Sequence, residues 1–196
     1  SNGVTESFFL ASTPVNQMPP FHVVSVGRLA KEKQQAQLIQ AVAASRFKND
    51  IRLTVAGTGP QQESLIRLAA ALKVEAEIGR VSDERLKTLY QTADVFVQTS
   101  AVELEGMSVL EAMAAGCPVL INQSITSAVT EFVTAPEATY SMNDEEDLRR
   151  KLDAMLADHV LRAAAGRGNR KIAQSRHHDR SVNSLADIYQ RVLSAH

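Results

Sequence analysis

Two periods of hydrophobic and polar positions take turns along the chain. FHVVSVG (21–27), IRLTVAG (51–57), DVFVQTS (94–100) and PVLIN (118–122) are short apolar runs closed by glycine or a polar residue. Such unbroken runs predict strands buried on both faces. Two shorter strands are expected at Glu77–Gly79 and near 138–141. Between them apolar positions recur at helical spacing. AKEKQQAQLIQAVAAS (30–45) aligns Leu38, Ile39 and Val42. PQQESLIRLAAALK (60–73) carries Pro60 in its first turn. SDERLKTLYQTA (82–93) opens on Ser82 as a cap, and SVLEAMAAG (108–116) closes on Gly116. A further helix is expected near 126–133.

Strand and helix therefore alternate from 21 to about 141 with short connections. The predicted fold class is α/β: a Rossmann-like parallel sheet with helices on both faces, followed by C-terminal helices. Those helices are expected over about 144–157, 158–175 and 180–195, with Asn143 and Glu146 as the capping signal for the first. Residues 1–20 read as an arm, because Asn2-Gly3 is a turn pair and Pro14, Pro19 and Pro20 forbid regular structure. The main domain then spans 21–179, with the final helix at 180–196. There is no internal repeat and no low-complexity tract.

Composition narrows the function classes. The 196 residues amount to one domain with arms at roughly 150 residues per domain. Lys plus Arg is 21 and Asp plus Glu 22, a net charge of −1 that argues against a general nucleic-acid binder, since the phosphate backbone calls for a broad basic face. The single Cys117 excludes a disulfide framework and a multi-cysteine zinc site, and it fits a reducing compartment. It reads as a buried structural thiol. No apolar stretch approaches 18 residues, so no spanning helix is expected. The five histidines form no ligand pattern, no Asp-x-Asp closes a strand, and no nucleophile elbow is present. The chain opens on Ser1 without a Met or a signal peptide, which reads as a fragment or a processed chain.

In a sheet of this kind ligands sit beyond the carboxyl ends of the strands. The residues there are Gly27-Arg28, Gly57-Thr58-Gly59, Gly79-Arg80-Val81, Thr99 to Gly106, and Asn122. Arg28 and Lys33 can grip a phosphate, one as a fork and one as a point charge. The competing reading is a turn with solvated cations. Gly57-Thr58-Gly59-Pro60 is neither a dinucleotide fingerprint nor a P-loop, and by itself it is a tight turn. Glu103 and Glu111 flank Gly106-Met107-Ser108, whose amides would lie at a helix N-terminus as an anion site. Glu111 can accept two hydrogen bonds from a diol such as ribose. Alternatively, Ser108-x-x-Glu111 is a capping box and Glu111 caps its own helix. Spacing does not separate Glu103 from Glu105 as the carboxylate that matters.

Taken together, these pieces resemble the C-terminal half of a GT-B glycosyltransferase of family 4. Gly27-Arg28-Leu29-Ala30-Lys31-Glu32-Lys33 matches its GRLxxEK motif, and Gly57-Thr58-Gly59-Pro60 matches its GxGP turn. Glu103 and Glu111 match its E-x7-E pair, followed by EAMAAGCPVL (111–120). Asn2-Gly3-Val4 resembles its hinge segment. The resemblance implies that Arg28 and Lys33 neutralise a diphosphate leaving group, in a metal-independent reaction with no cofactor beyond the nucleoside-diphosphate sugar itself, such as a UDP- or GDP-sugar. It implies that Glu111 holds the ribose and that Glu103 lies by the donor sugar. Gly27 and Gly57 would admit the ligand to the backbone. Gly106, Met107, Ser108 and Val109 would contact sugar or phosphate, and Arg80 and Val81 would lie near the base. The implied activity is that of a retaining, hexosyltransferase-type enzyme of polysaccharide or glycolipid biosynthesis. Its acceptor, carbohydrate or lipid-linked, would be bound by an N-terminal domain.

On this reading 1–20 is an interdomain linker, and 180–196 crosses back to that N-terminal domain. The isolated half would be inactive. The parent would be cytoplasmic, working at the inner face of the membrane without a transmembrane segment or a nucleic-acid partner. The alternatives are a GT-B epimerase or phosphorylase, or a non-catalytic nucleotide-binding module paired with a separate acceptor-domain chain. Against the family pattern, Gln34 follows the Glu-Lys pair where glycine is common, and Gly106-Met107-Ser108 replaces Gly-Phe-Gly.

Overall fold

In a computed structural model the described residues are 4–9, 16–124, 126–133 and 135–176. Six strands form one sheet: β1 (Phe21–Val26), β2 (Ile51–Ala56), β3 (Ala76–Gly79), β4 (Val95–Gln98), β5 (Val119–Gln123) and β6 (Thr139–Ser141). Their order is β3-β2-β1-β4-β5-β6 and every pairing is parallel. The winding reverses between β1 and β4, which opens a crevice beyond their carboxyl ends.

The helices are α1 (Gln35–Ala44), α2 (Gln62–Ala71), α3 (Asp83–Thr92), α4 (Met107–Ala114), α5 (Glu145–Ala157) and α6 (His159–Ser175). α1 packs against α2 and α5; α4 packs against α3 and α6. Between these layers Val95–Val97 and Val119–Ile121 lose all solvent contact, as continuous apolar strands require. Leu38, Ile39 and Val42 form the buried stripe of α1.

Several boundaries differ from the sequence reading, each for a local reason. The helix expected from residue 30 starts at Gln35, because Lys31–Lys33 is a 3-10 turn and Gln34 is left-handed at φ 51°. Pro60 precedes α2 rather than opening it, and Gln61 takes the cap position. The helix expected near 126–133 is only a 3-10 turn at Ala128–Glu131. Asn143 is not the cap of α5. It turns left-handed at φ 58°, and the Asp144 carboxylate accepts the Asp147 amide instead. The helix expected at 180–195 lies outside the described residues.

Two features of the core have no periodic signature. Val4, within the segment read as an arm, is wholly buried, and its amide donates to the Arg176 carbonyl at 3.1 Å. Arg162 is wholly buried too. Its guanidinium lies over the Phe21 ring at 5.1 Å and donates to the carbonyls of Met155, Leu156 and Asn16. A buried arginine is tolerable when backbone oxygens take its protons; here it ties α6 to β1 and to the segment before it.

Candidate functional site

The carboxyl ends of β1, β2 and β3 finish in step on three glycines. The Gly27 amide donates to the Ala56 carbonyl at 3.0 Å and the Gly57 amide to the Gly79 carbonyl at 2.8 Å. The turn after β2 folds against the turn after β1: Leu29 donates to the Thr58 carbonyl, and Gln61 donates to the Leu29 carbonyl. A Cβ on Gly57 would sit 1.9 Å from the Gly27 carbonyl oxygen, and one on Gly59 would sit 2.3 Å from that of Leu29. Both glycines are therefore required by backbone approach. Residues 26–28 and 56–60 together line an open groove of about 500 Å³. Arg28 stands at its rim with an exposed side chain, while its carbonyl is held by the buried Gln35 amide at 2.9 Å. Arg80 is exposed and Val81 half-buried just beyond β3.

β4 delivers the charged centre. Lys33 Nζ donates to Glu103 Oε2 at 2.6 Å, and Gln98 Nε2 donates to the same oxygen at 2.9 Å. The turn holding Lys33 is stitched to the loop after β4. Thr99 Oγ1 donates to the Lys33 carbonyl at 2.6 Å, and the Ala101 amide donates to the Glu32 carbonyl at 3.0 Å. On the other side the Ala128 amide donates to the Glu103 carbonyl at 2.8 Å. Glu103, not Glu105, carries the Lys33 and Gln98 contacts. Gln98 was missed from sequence. Its signal was a polar residue, 4% exposed, closing an otherwise apolar buried strand.

The turn into α4 corrects the expected cap. Gly106, not Ser108, is the cap, in the left-handed conformation at φ 68°. Its carbonyl receives the Val109 and Leu110 amides, each at 3.0 Å, so Val109 has no amide to offer a ligand, and its side chain is wholly buried. A Cβ on Gly106 would meet Val129 Cγ2 at 2.3 Å, which leaves glycine as the residue that fits. Met107 and Ser108 lie in the first turn, where helix amides have no intrahelical acceptor. The Ser108–Glu111 capping box does not form. Glu111 instead accepts the Tyr90 hydroxyl at 2.9 Å. Burial holds the Glu111 carboxyl above the usual carboxylate range, and the Tyr90 hydrogen bond partly offsets this.

These parts share one end of the sheet: the exposed Arg28, the partly buried Lys33, the first turn of α4, and the carboxylates of Glu103 and Glu111. Residues 11–172 match the glycosyl transferases group 1 family. The chain belongs to that family.

Three further likenesses agree. A GDP-mannose-dependent alpha-(1-6)-phosphatidylinositol dimannoside mannosyltransferase of Mycobacterium tuberculosis is 31% identical over 169 residues, covering 85% of this chain and 40% of the relative. The catalytic domain of cholesterol-alpha-glucosyltransferase from Helicobacter pylori superposes with a TM-score of 0.73 at 35% identity, covering 80% of this chain and 99% of that one. In fold the chain also matches a C-terminal domain of a group 1 family protein from Francisella tularensis, at a TM-score of 0.75 and 21% identity. The chain thus has the architecture of a glycosyltransferase C-terminal domain. It spans less than half the length of the mycobacterial relative.

A second cavity, of about 800 Å³, opens at the opposite end of the sheet, where Asp94, Cys117 and Pro118 precede β4 and β5 and Arg162 and Gly166 of α6 close it. Cys117 there is buried, and burial pushes its thiol far above the usual range, as suits a structural residue. Among the described residues no three His, Cys, Asp or Glu gather to hold a metal ion, and no helix is long and apolar enough to cross a membrane.

Proposed function

We propose that this group 1 domain is the donor-binding half of a retaining glycosyltransferase of family 4. Its donor is a nucleoside-diphosphate sugar. The observation that carries this is the cluster at the switch between β1 and β4: Lys33 and Gln98 on one oxygen of Glu103, beside the exposed Arg28 and the glycine turns. Cleaving the bond between sugar and diphosphate leaves negative charge on the leaving group. Arg28, Lys33 and the first amides of α4 are the groups that would hold it, doing with fixed cations and dipoles what a divalent ion does elsewhere. Glu103 is held ready for the donor sugar. Glu111, partly buried in α4, would take the ribose hydroxyls, and Arg80 and Val81 would flank the base. The acceptor arrives from an N-terminal domain. The phosphatidylinositol dimannoside in the mycobacterial relative's name favours a lipid-linked acceptor.

The test is a thermal-shift titration with UDP, GDP, ADP and CDP, with and without a chelator. Saturation at about 100 times Kd adds roughly 2.7 kcal/mol, on the order of 5–10 °C for a domain of this size. One nucleotide should shift the domain without need of metal, and Arg28→Ala or Lys33→Ala should each weaken it at least about tenfold. Unchanged affinity in both variants would remove the diphosphate role.

A further inference from the structure

Glu111 stands in the second turn of α4, and a carboxylate there can rotate about its side-chain torsions. Two hydroxyls of a diol are recognised well only by a carboxylate whose plane is already set. The Tyr90 hydroxyl donates to Glu111 Oε2 at 2.9 Å from the last turn of α3. Tyr90 is itself wholly buried, so its ring has no freedom to follow Glu111. Phe96 of β4 lies against it with centroids 5.8 Å apart, and Phe8 meets it edge-on at 6.0 Å and 72°. These neighbours come from the sheet and from the segment that precedes β1, so three parts of the chain set one hydroxyl.

We propose that Tyr90 is the positioning residue of the ribose site: it fixes the Glu111 carboxylate through Oε2 and leaves Oε1 turned to the sugar hydroxyls. This rests on the reading of Glu111 as the ribose acceptor. The bond has a second effect. Burial favours the neutral carboxylic acid, which could accept only weakly, and the Tyr90 hydroxyl favours the anion. Tyr90 thus acts through Glu111 and has no contact of its own with the nucleotide. Phe8 makes the same site sensitive to the segment entering the domain.

The experiment compares UDP, GDP, ADP and CDP with their 2′-deoxy counterparts, by calorimetry on the wild type, Tyr90→Phe, Phe8→Leu and Glu111→Gln. Tyr90→Phe keeps the ring and removes one hydrogen bond. It should weaken the preferred ribonucleotide about three- to tenfold while changing the 2′-deoxy nucleotide by less than about twofold. It should also raise the pH below which ribonucleotide binding is lost. Phe8→Leu should give a smaller loss with the same selectivity, and it supplies the answer if Tyr90→Phe does not fold. Equal losses for both sugars would mean that Tyr90 only fills the core, and no loss would mean that Glu111 is placed without it; either overturns the proposal. Glu111→Gln separates the two levels. If it leaves the preference for ribose intact, the ribose reading of Glu111 falls and the Tyr90 proposal with it. If it abolishes the preference while Tyr90→Phe does not reduce it, only the Tyr90 proposal falls.

Discussion

Lys33 has two claims on its charge. In the free domain it is committed to Glu103 at 2.6 Å, with side-chain exposures of 22% and 16% for the two partners. A diphosphate that draws on Lys33 must compete with that carboxylate. Glu103→Gln keeps the shape and removes the charge. Exposed ion pairs contribute about 0–1 kcal/mol, and disrupting a fully buried one costs about 3–5. A pair mostly but not wholly buried sits between, near 1–2 kcal/mol, and part of that is retained as a neutral hydrogen bond. The expected gain in diphosphate binding is therefore about 1 kcal/mol, or roughly fivefold tighter Kd. The assay is calorimetric titration with the nucleotide that binds wild type, run at low and high salt. The advantage of the variant should shrink as salt rises. The corresponding nucleotide sugar should gain less than the free diphosphate, because Glu103 no longer meets the sugar. A variant that binds the diphosphate more weakly than wild type would refute the competition and put Glu103 itself among the groups that hold the nucleotide.

Three further outcomes follow from the geometry. Gly57→Ala places a Cβ 1.9 Å from the Gly27 carbonyl oxygen at a φ of 154°. It should cost about 3–5 kcal/mol and lower Tm by on the order of 10 °C in a calorimetric scan, whereas a loss below about 1 kcal/mol would mean the two turns can separate. Gln34→Gly relieves a left-handed non-glycine residue whose Oε1 is buried without a partner, at the cost of an exposed hydrogen bond to Asn143. It should stabilise by about 0.5–1 kcal/mol in urea unfolding, and a net loss would show that the Asn143 contact outweighs the strain. His22 is held below its ordinary pKa by burial and then by Arg85, so it takes up a proton less readily in the fold, where it is bonded to Thr54 at 2.9 Å. The unfolded chain takes up a proton first as pH falls, so this contribution is complete above about pH 6.5 and is lost below it. His22→Gln should flatten the fall in Tm as pH drops below about 6.5; an unchanged slope would place the acid sensitivity elsewhere.

The alternation of apolar runs with helical stripes determined the sheet and its parallel sense, and with them the end at which a ligand is expected. Burial on both faces leaves few other ways to satisfy unbroken strands such as 95–97 and 119–121. The candidate residues also stood in the sequence, because glycines and charges just past strand ends are local features. Their pairing was not. Whether Glu103 or Glu105 meets Lys33 depends on a loop stitched to two others by the Thr99, Ala101 and Ala128 hydrogen bonds. Whether Glu111 caps its own helix depends on Gly106 turning left-handed one contact away from Val129. Gln98 and Tyr90 meet Glu103 and Glu111 only through hydrogen bonds to partners 5 and 21 residues away along the chain. The burial of Arg162 likewise rests on carbonyls as far as 146 residues distant. Periodicity is a short-range property and is written in neighbouring residues. A hydrogen bond is satisfied by whichever group the fold brings within 3 Å, and only the tertiary structure decides which group that is.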